Sequence, residues 1–308
     1  MIIVGAGLAG LLAGCHFQNA AIIEAGPKRQ SHKALLRFRS SSVGDSVGVE
    51  FKSVKVYKGI YVDGKFESPN IKLANQYSKK VIGSTTNRSI WDINTVERYI
   101  APEDFIDILI DKCRNRISWN EPLNRNLLLS QRISNSSPII STMPLPILIG
   151  MLKEFDEFTN YKFPEFKYSD INVVRWRINN CDVNQTIYFP DPDLALYRAS
   201  ITGSLLIAEF KGKMPIDNDK GLICEAFGIC GENLEKIEYG SQQFGKILEI
   251  DDNWRKAFIH RLTNDYSIFS LGRFGTWRNI LLDDVIHDIS VLKRLIGASK
   301  YDIRMNSI

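Results

Sequence analysis

Met1-Ile2-Ile3-Val4-Gly5-Ala6-Gly7-Leu8-Ala9-Gly10 opens the chain and decides how the rest of it is read. Met1 to Val4 is a short apolar run suited to a strand buried on both faces. Three glycines then fall in the pattern G-x-G-x-x-G, a helical pattern continues to about Asn19, and a second buried-strand run, Ala21-Ile22-Ile23, ends at Glu24. The order is β-α-β. Gly5 permits a tight turn, Gly7 lets the backbone approach a pyrophosphate, and Gly10 lets helix and strand pack closely. The helix N-terminus offers unpaired N–H groups and the positive end of its dipole to phosphate. Glu24 lies 19 residues after Gly5, where a carboxylate accepts hydrogen bonds from the adenosine ribose hydroxyls and would repel a 2′-phosphate, so NADP is disfavoured. A glycine-rich turn without a ligand is the plainer alternative. The strand, the helix and the acid at their proper spacing favour a dinucleotide site made by Gly5, Ala6, Gly7, Leu8, Ala9, Gly10 and Glu24.

Working outward, the 308 residues are 44% hydrophobic and 24% charged, which excludes disorder, collagen and coiled coil. A chain of this length can bury a core without disulfides or metals as staples. Cys15, Cys113, Cys181, Cys224 and Cys230 are widely spaced and contain no C-x-x-C pair, and His16, His32, His260 and His287 are equally scattered. No metal is expected. The cysteine usage fits a reducing compartment, and no apolar run approaches a membrane span. A cytoplasmic location is therefore expected, without a membrane partner.

The net charge of +4 conceals an uneven distribution. Residues 28–80 hold twelve basic side chains (Lys28, Arg29, Lys33, Arg37, Arg39, Lys52, Lys55, Lys58, Lys65, Lys72, Lys79 and Lys80) against Asp45, Glu50, Asp63 and Glu67. This +8 stretch, with −4 for the remainder, suits either a solvated strand face or a polyanionic partner.

Beyond residue 48 the pattern changes. Phe51 to Phe66 alternates and turns at Asp63-Gly64, which predicts a hairpin. Residues 103–114 read as an amphipathic helix, and Pro138 to Pro144 as a short buried strand. Strands are expected at Val173 to Ile178, Gln185 to Phe189, Leu196 to Ile201 and Ser204 to Phe210, with Arg175 and Arg177 on one face of the first. Ile268 to Leu271 is a strand that leads through Gly272-Arg273-Phe274-Gly275-Thr276-Trp277-Arg278 into a helix with Val285, Ile289, Leu292 and Ile296 on its apolar face and Gly297 just past its end. The predicted class is α/β: a Rossmann-type dinucleotide domain from residues 1–48, 100–148 and 255–308, and a mostly antiparallel β substrate domain from residues 49–99 and 149–254.

Three segments resemble the FAD-dependent superfamily that contains amine oxidases, protoporphyrinogen oxidase and UDP-galactopyranose mutase. They are the N-terminal GAGLAG with Glu24; Tyr188-Phe189-Pro190-Asp191-Pro192-Asp193 followed by Tyr197-Arg198, similar to the y-f-P-D…f-x-R stretch of mutase-like members; and GRFGTWRNILLDDVI from Gly272 to Ile286, similar to G-R-L-G-T-Y-R-x-L-D-M-x-x-V-I. The resemblance implies FAD as cofactor, with Gly272 and Arg273 against its phosphates and ribityl chain. It also implies a helix N-terminus near Asn279, Leu281 and Leu282 at the flavin N1/C2=O edge, and contacts from Ala25, Arg29 and Leu36 after the ribose-binding acid. Two departures stand out. Gln30 to Leu36 replaces the double glycine usual after that acid, and Leu281 replaces the mutase aspartate. With 308 residues leaving little room for a UDP-binding module, these weigh against mutase activity.

The chemistry the resemblance implies is hydride removal from the C–N bond of an amine or amino-acid-like substrate to flavin N5, followed by imine hydrolysis. Arg198 is the candidate anchor for a carboxylate or phosphate, with Tyr188, Tyr197 and Trp176 as aromatic walls. No general base is identified. Two alternatives accompany it. Small FAD proteins of this outline also resemble phage-encoded enzymes of thymine hypermodification, in which the basic stretch would meet DNA phosphates and Phe38, Phe51, Tyr57, Tyr61 or Tyr77 would hold an extruded base. The other is a non-redox flavin enzyme of the mutase type.

Overall fold

The β-α-β unit is present in a computed structural model of the chain, which describes residues 1–28, 36–86, 90–134, 137–158, 160–212 and 217–305. Strand β1 (Ile2–Val4) and strand β2 (Ala21–Glu24) pair in parallel, joined by helix α1 (Leu8–His16). Ile139–Ser141 lies on the other side of β1, Ile268–Ser270 beyond it, and Ile117–Trp119 outside β2, all parallel. The sheet is covered on both faces, as its unbroken apolar strands require. Ile3, Ile22, Ile140 and Phe269 pack with α1, helix Phe105–Cys113 and the C-terminal helix. Val4, Ile23, Ile139 and Ile268 pack on the other side with helices Leu145–Leu152 and Asp252–Tyr266.

The second sheet has nine strands. Its path runs from Leu234–Ile247 through Tyr168–Ile178, Leu205–Lys211, Leu196–Thr202, Asn184–Tyr188, Lys52–Val62 and Val96–Ile100 to Arg37–Phe38, with Lys65–Glu67 attached to Lys52–Val62. Pairing is antiparallel except between Asn184–Tyr188 and Lys52–Val62. Asp63 and Gly64, at φ 50° and 78°, make the two-residue hairpin turn that their types predict. One face of the sheet buries Trp176, Phe189, Phe210 and Ile223; the other buries Ile60, Leu73, Tyr77, Tyr197 and Ile207. The faces are therefore chemically distinct, and the second carries the candidate site.

The C-terminal helix corrects one expectation. Val285, Ile289, Leu292 and Ile296 form its buried side, but it runs from Leu282 to Met305 and passes through Gly297. Gly297 does not take a positive φ, and, its own helix backbone and chain neighbours aside, no atom of the described residues lies within 4 Å of where its Cβ would sit. Glycine permits a left-handed stop without requiring one. Among the described residues, no helix is long and apolar enough to cross a membrane.

Candidate cofactor and substrate site

Backbone geometry accounts for each glycine of the N-terminal motif. Gly5 has φ +100°, and its N–H donates to the Ile23 carbonyl at 2.8 Å. A Cβ at Gly10 would lie 1.8 Å from the Gly5 carbonyl oxygen, whereas none of the surrounding atoms comes within 4 Å of the Cβ position at Gly7. Gly10 is thus required by packing and Gly7 by open space at the start of α1, where no side chain caps the helix. Leu8 is buried and Ala9 half-buried along that first turn. Glu24 accepts hydrogen bonds from Ala6 N at 2.7 Å and Gly26 N at 3.0 Å, one on each carboxylate oxygen. A carboxylate offers about four lone-pair sites, so acceptor capacity remains for ribose hydroxyls. Ala25 is exposed beside it. Leu36 packs partly buried against the parallel-sheet core, and Arg29 lies outside the described residues.

The C-terminal motif returns to this cradle. Gly272, at φ +78°, lies so close to α1 that its Cβ would stand 2.8 Å from the Ala9 methyl. A Cβ at Gly275 would stand 2.6 Å from the Ser141 carbonyl oxygen. Arg273 donates through Nη2 to Asn279 Oδ1 at 3.2 Å, while its Nε is buried and, among the described residues, has no hydrogen-bond partner. A guanidinium N–H left unpaired beside a glycine cradle is what an anionic cofactor group would satisfy. The residues present fit FAD on that observation. Leu282 begins the C-terminal helix, but the Leu281 N–H is already taken by the Asp284 carboxylate at 2.8 Å, and the Leu281 side chain is exposed.

Trp277 locks the loop to the second sheet. It is fully buried at φ 50°, and its indole N–H donates to the Leu248 carbonyl at 2.8 Å. Asn279 Nδ2 also reaches the Ile247 carbonyl at 3.4 Å. These contacts tie Arg273 to the strand that carries Lys246.

On the second sheet a register shift between Leu196 and Arg198 inserts Tyr197 as an extra residue opposite Phe210 and Glu209. Such a bulge re-aims side chains. Arg198 grips Glu209 with Nε and Nη2, the latter at 2.7 Å, and lies 5.9 Å from the centre of the Tyr197 ring. Burial works to raise the Glu209 carboxyl, but the Arg198 guanidinium overcomes it and holds the group below the usual carboxylate range. The buried Tyr197 hydroxyl faces that carboxylate without closing a hydrogen bond of normal geometry. Tyr77 stands edge-on to Tyr188 at 5.4 Å between centroids, and 6.4 Å from Tyr197. Arg37 crosses to the same face, donating to Thr202 Oγ1 at 2.7 Å, Thr186 Oγ1 at 2.9 Å and the Ile201 carbonyl.

Lys246 completes the cluster after an irregular turn of its strand at Phe244 and Gly245. Its ammonium sits 5.1 Å from the Tyr197 ring centre, and among the described residues it has no hydrogen-bond or ion-pair partner. Burial, helped by repulsion from Arg198 and Arg273 and opposed by Glu209, pushes this amine down to about 7. Arg198 is already engaged by Glu209, so Lys246 and Arg273 are the cations of this cluster left with capacity for an anion.

The structure therefore brings together Tyr188, Tyr197, Arg198 and Arg273, and adds Arg37, Tyr77, Glu209 and Lys246. Sequence reading missed Glu209 and Lys246 because neither belongs to a motif. Trp176 stands apart from them, buried in the core on the opposite face of the sheet.

The basic stretch is also dispersed. Lys80 is buried and donates to the carbonyls of Phe189, Asp191 and Leu196 at 2.8, 2.7 and 2.6 Å. Arg37 is spent on the sheet, Arg39 pairs with Asp283 and Asp284, and Lys65 pairs with Glu67. Lys33, like Arg29, falls outside the described residues. Phe38 and Phe51 pack with Phe105 in the parallel-sheet core, Tyr61 bonds Glu225, Tyr77 lies in the cluster above, and Tyr57 is exposed. They do not form one base-holding surface.

No family model and no curated protein matches the sequence, but the fold has relatives among solved structures. A reduced UDP-galactopyranose mutase superposes with a TM-score of 0.62 at 14% identity, over 96% of this chain and 95% of that one. A fatty acid isomerase from P. acnes superposes with a TM-score of 0.60 at 11% identity, over 95% and 97%. PF1083 from Pyrococcus furiosus follows at 0.52 and 11%, over 94% and 95%. The chain shares its fold with this mutase and this isomerase. Because the match covers 95% of the mutase chain, short length no longer separates this chain from the mutase.

Proposed function

We propose that the protein is an FAD-dependent enzyme whose substrate carries an anionic group, with an amino-acid-like amine as the leading case. The observation that carries this reading is the unpartnered Nε of Arg273, set between the glycine cradle and the Lys246–Arg198–Glu209 cluster. In this reading the α1 N-terminus and Gly7 receive the pyrophosphate, Glu24 holds the adenosine ribose, and Gly272 and Arg273 line the remainder of the cofactor. When bound, FAD supplies a two-electron acceptor suited to oxidising a C–N bond. Lys246 attracts the substrate's carboxylate, the tyrosines enclose its body, and the partly buried pair Arg198–Glu209 fixes the floor. Exclusion of water by Tyr77, Tyr188 and Tyr197 strengthens every charge interaction there.

A second reading is favoured by the fold comparison, since the two superpositions with the highest scores quoted above are named a mutase and an isomerase. In it the substrate is rearranged without net oxidation. Anaerobic mixing separates the two. Amino acids and their decarboxylated amines bleach the flavin in the first reading, and a substrate that turns over while the flavin stays yellow selects the second. A protein purified colourless that takes up no FAD would falsify both. The phage-type reading, with thymine adducts in DNA as substrate, has less support because Lys80, Arg37, Arg39 and Lys65 are engaged elsewhere. A mobility shift of duplex DNA that weakens with salt would revive it.

A further inference from the structure

A dithiol lies at the opposite end of α1 from the glycine cradle, and neither the cofactor nor the cationic face uses it. Cys15, next to last in α1, has its sulfur 3.9 Å from that of Cys113, the last residue of helix Phe105–Cys113, and either sulfur could be the donor. The pair does not stand alone. Arg116 donates through Nη2 to the Cys113 sulfur at 3.5 Å and to the Gly14 carbonyl at 3.0 Å, and through Nη1 to the carbonyls of Phe17 and Ala20 at 3.3 and 3.1 Å. One guanidinium thus stabilises a thiolate and fixes the end of α1 beside it. Cys15 also lines a surface pocket of about 420 Å³ together with Gln18, Ser46, Val47, Lys112 and Arg116. Cys15 opens on this pocket and Cys113 lies buried behind it, with Arg116 and Lys112 supplying a positive field at the pocket wall. The hydrogen bond from Cys15, with Arg116 and Lys112 assisting against burial, lowers the Cys113 thiol to about 7.

We propose that Cys15 and Cys113 form a peroxide-reactive dithiol that closes reversibly into an intramolecular disulfide, clamping α1 to helix Phe105–Cys113. One sulfur of the pair, as the thiolate, attacks the O–O bond of hydrogen peroxide, giving a sulfenic acid and hydroxide. The second thiol attacks that sulfur, its proton leaves with the departing hydroxyl as water, and the S–S bond forms. In sum two thiols and one peroxide give one disulfide and two waters; the sulfurs are oxidised and the peroxide reduced. A small dithiol restores the starting state by exchange. The sulfurs must close from 3.9 Å to about 2 Å.

The test treats the purified protein with a limited excess of hydrogen peroxide, alkylates the remaining thiols and maps peptides by mass spectrometry. The expected result is a linked peptide joining Cys15 to Cys113, with five reactive thiols falling by two and recovering fully with dithiothreitol. In Arg116→Gln, linkage should slow by about 10-fold at neutral pH, following the loss of thiolate. In Cys15→Ser, Cys113 should stop at a sulfenic acid that dimedone traps. The proposal is overturned if wild-type Cys15 and Cys113 both remain alkylatable while other cysteines oxidise, or if either passes to sulfinic acid without linkage.

Discussion

The two sheets build their candidate sites by different means. At the parallel sheet the site is made of backbone: a glycine turn, an uncapped helix end and one carboxylate, nearly all within residues 5–24. At the nine-stranded sheet it is made of side chains from three distant segments, around Arg37, Arg198 and Lys246. The first can be read from spacing, because the constraint on each residue lies a few positions away. The second cannot, because what makes Lys246 unusual is burial beside Arg198 and Arg273, far away in sequence. The contrast implies that substitutions in the cradle act on cofactor binding, and substitutions on the sheet face act on substrate.

The largest expected effect is at Gly10. Its valine variant must place a Cβ where the Gly5 carbonyl stands 1.8 Å away, pushing α1 off the strand. FAD affinity should fall by about 100-fold or more, equivalent to about 2.7 kcal/mol, as read by flavin fluorescence titration. Unchanged affinity would break the comparison at its first term.

Glu209→Gln comes next, and it should spare FAD binding while destabilising the fold. Breaking a fully buried ion pair costs about 3–5 kcal/mol. Here Arg198 keeps 34% of its side chain in solvent, so a loss of about 2 kcal/mol in urea unfolding is the expected figure.

Lys246→Met sharpens the comparison by direction rather than size. Affinity for an amino acid should weaken by about 10-fold relative to its decarboxylated amine, with FAD binding unaltered. In the wild type, affinity for the anion should fall as pH rises through about 7, where Lys246 loses its charge, and the variant should be flat. The stability sign follows from a folded value held below the unfolded one: the buried ammonium costs most at low pH and progressively less above about 7. The variant should therefore be more stabilising at pH 6 than at pH 9 in urea titrations.

The smallest effect belongs to Arg39→Ala. Its guanidinium and the closer partner Asp284 are exposed, so a loss under about 1 kcal/mol and no change in either ligand are expected.

How much was legible follows the same division. The β-α-β unit, the Asp63-Gly64 hairpin, the central strands of the second sheet and the return through Gly272 were readable because strand periodicity and glycine turns are local signals. Gly297 was misread as a helix stop, since a glycine signals possibility and not obligation. The basic stretch was read as a surface, yet Lys80 is buried under three carbonyls and Arg37 under three oxygens; charge in a sequence does not reveal which cations are drawn inward to satisfy backbone and side-chain acceptors. Tyr197 and Arg198 were singled out by resemblance, but the bulge that re-aims them and the Glu209 that neutralises Arg198 come from strand pairing.

The central claim is that the glycine cradle and Arg273 together hold FAD. Calorimetric titration of FAD into flavin-stripped, folded protein tests it most directly, with Arg273→Met measured alongside. The account predicts one FAD bound per chain and a weakening of about 10-fold in the variant, whose unpaired N–H is gone. A folded protein that takes up no FAD, or a variant that binds it as tightly as the wild type, would contradict it.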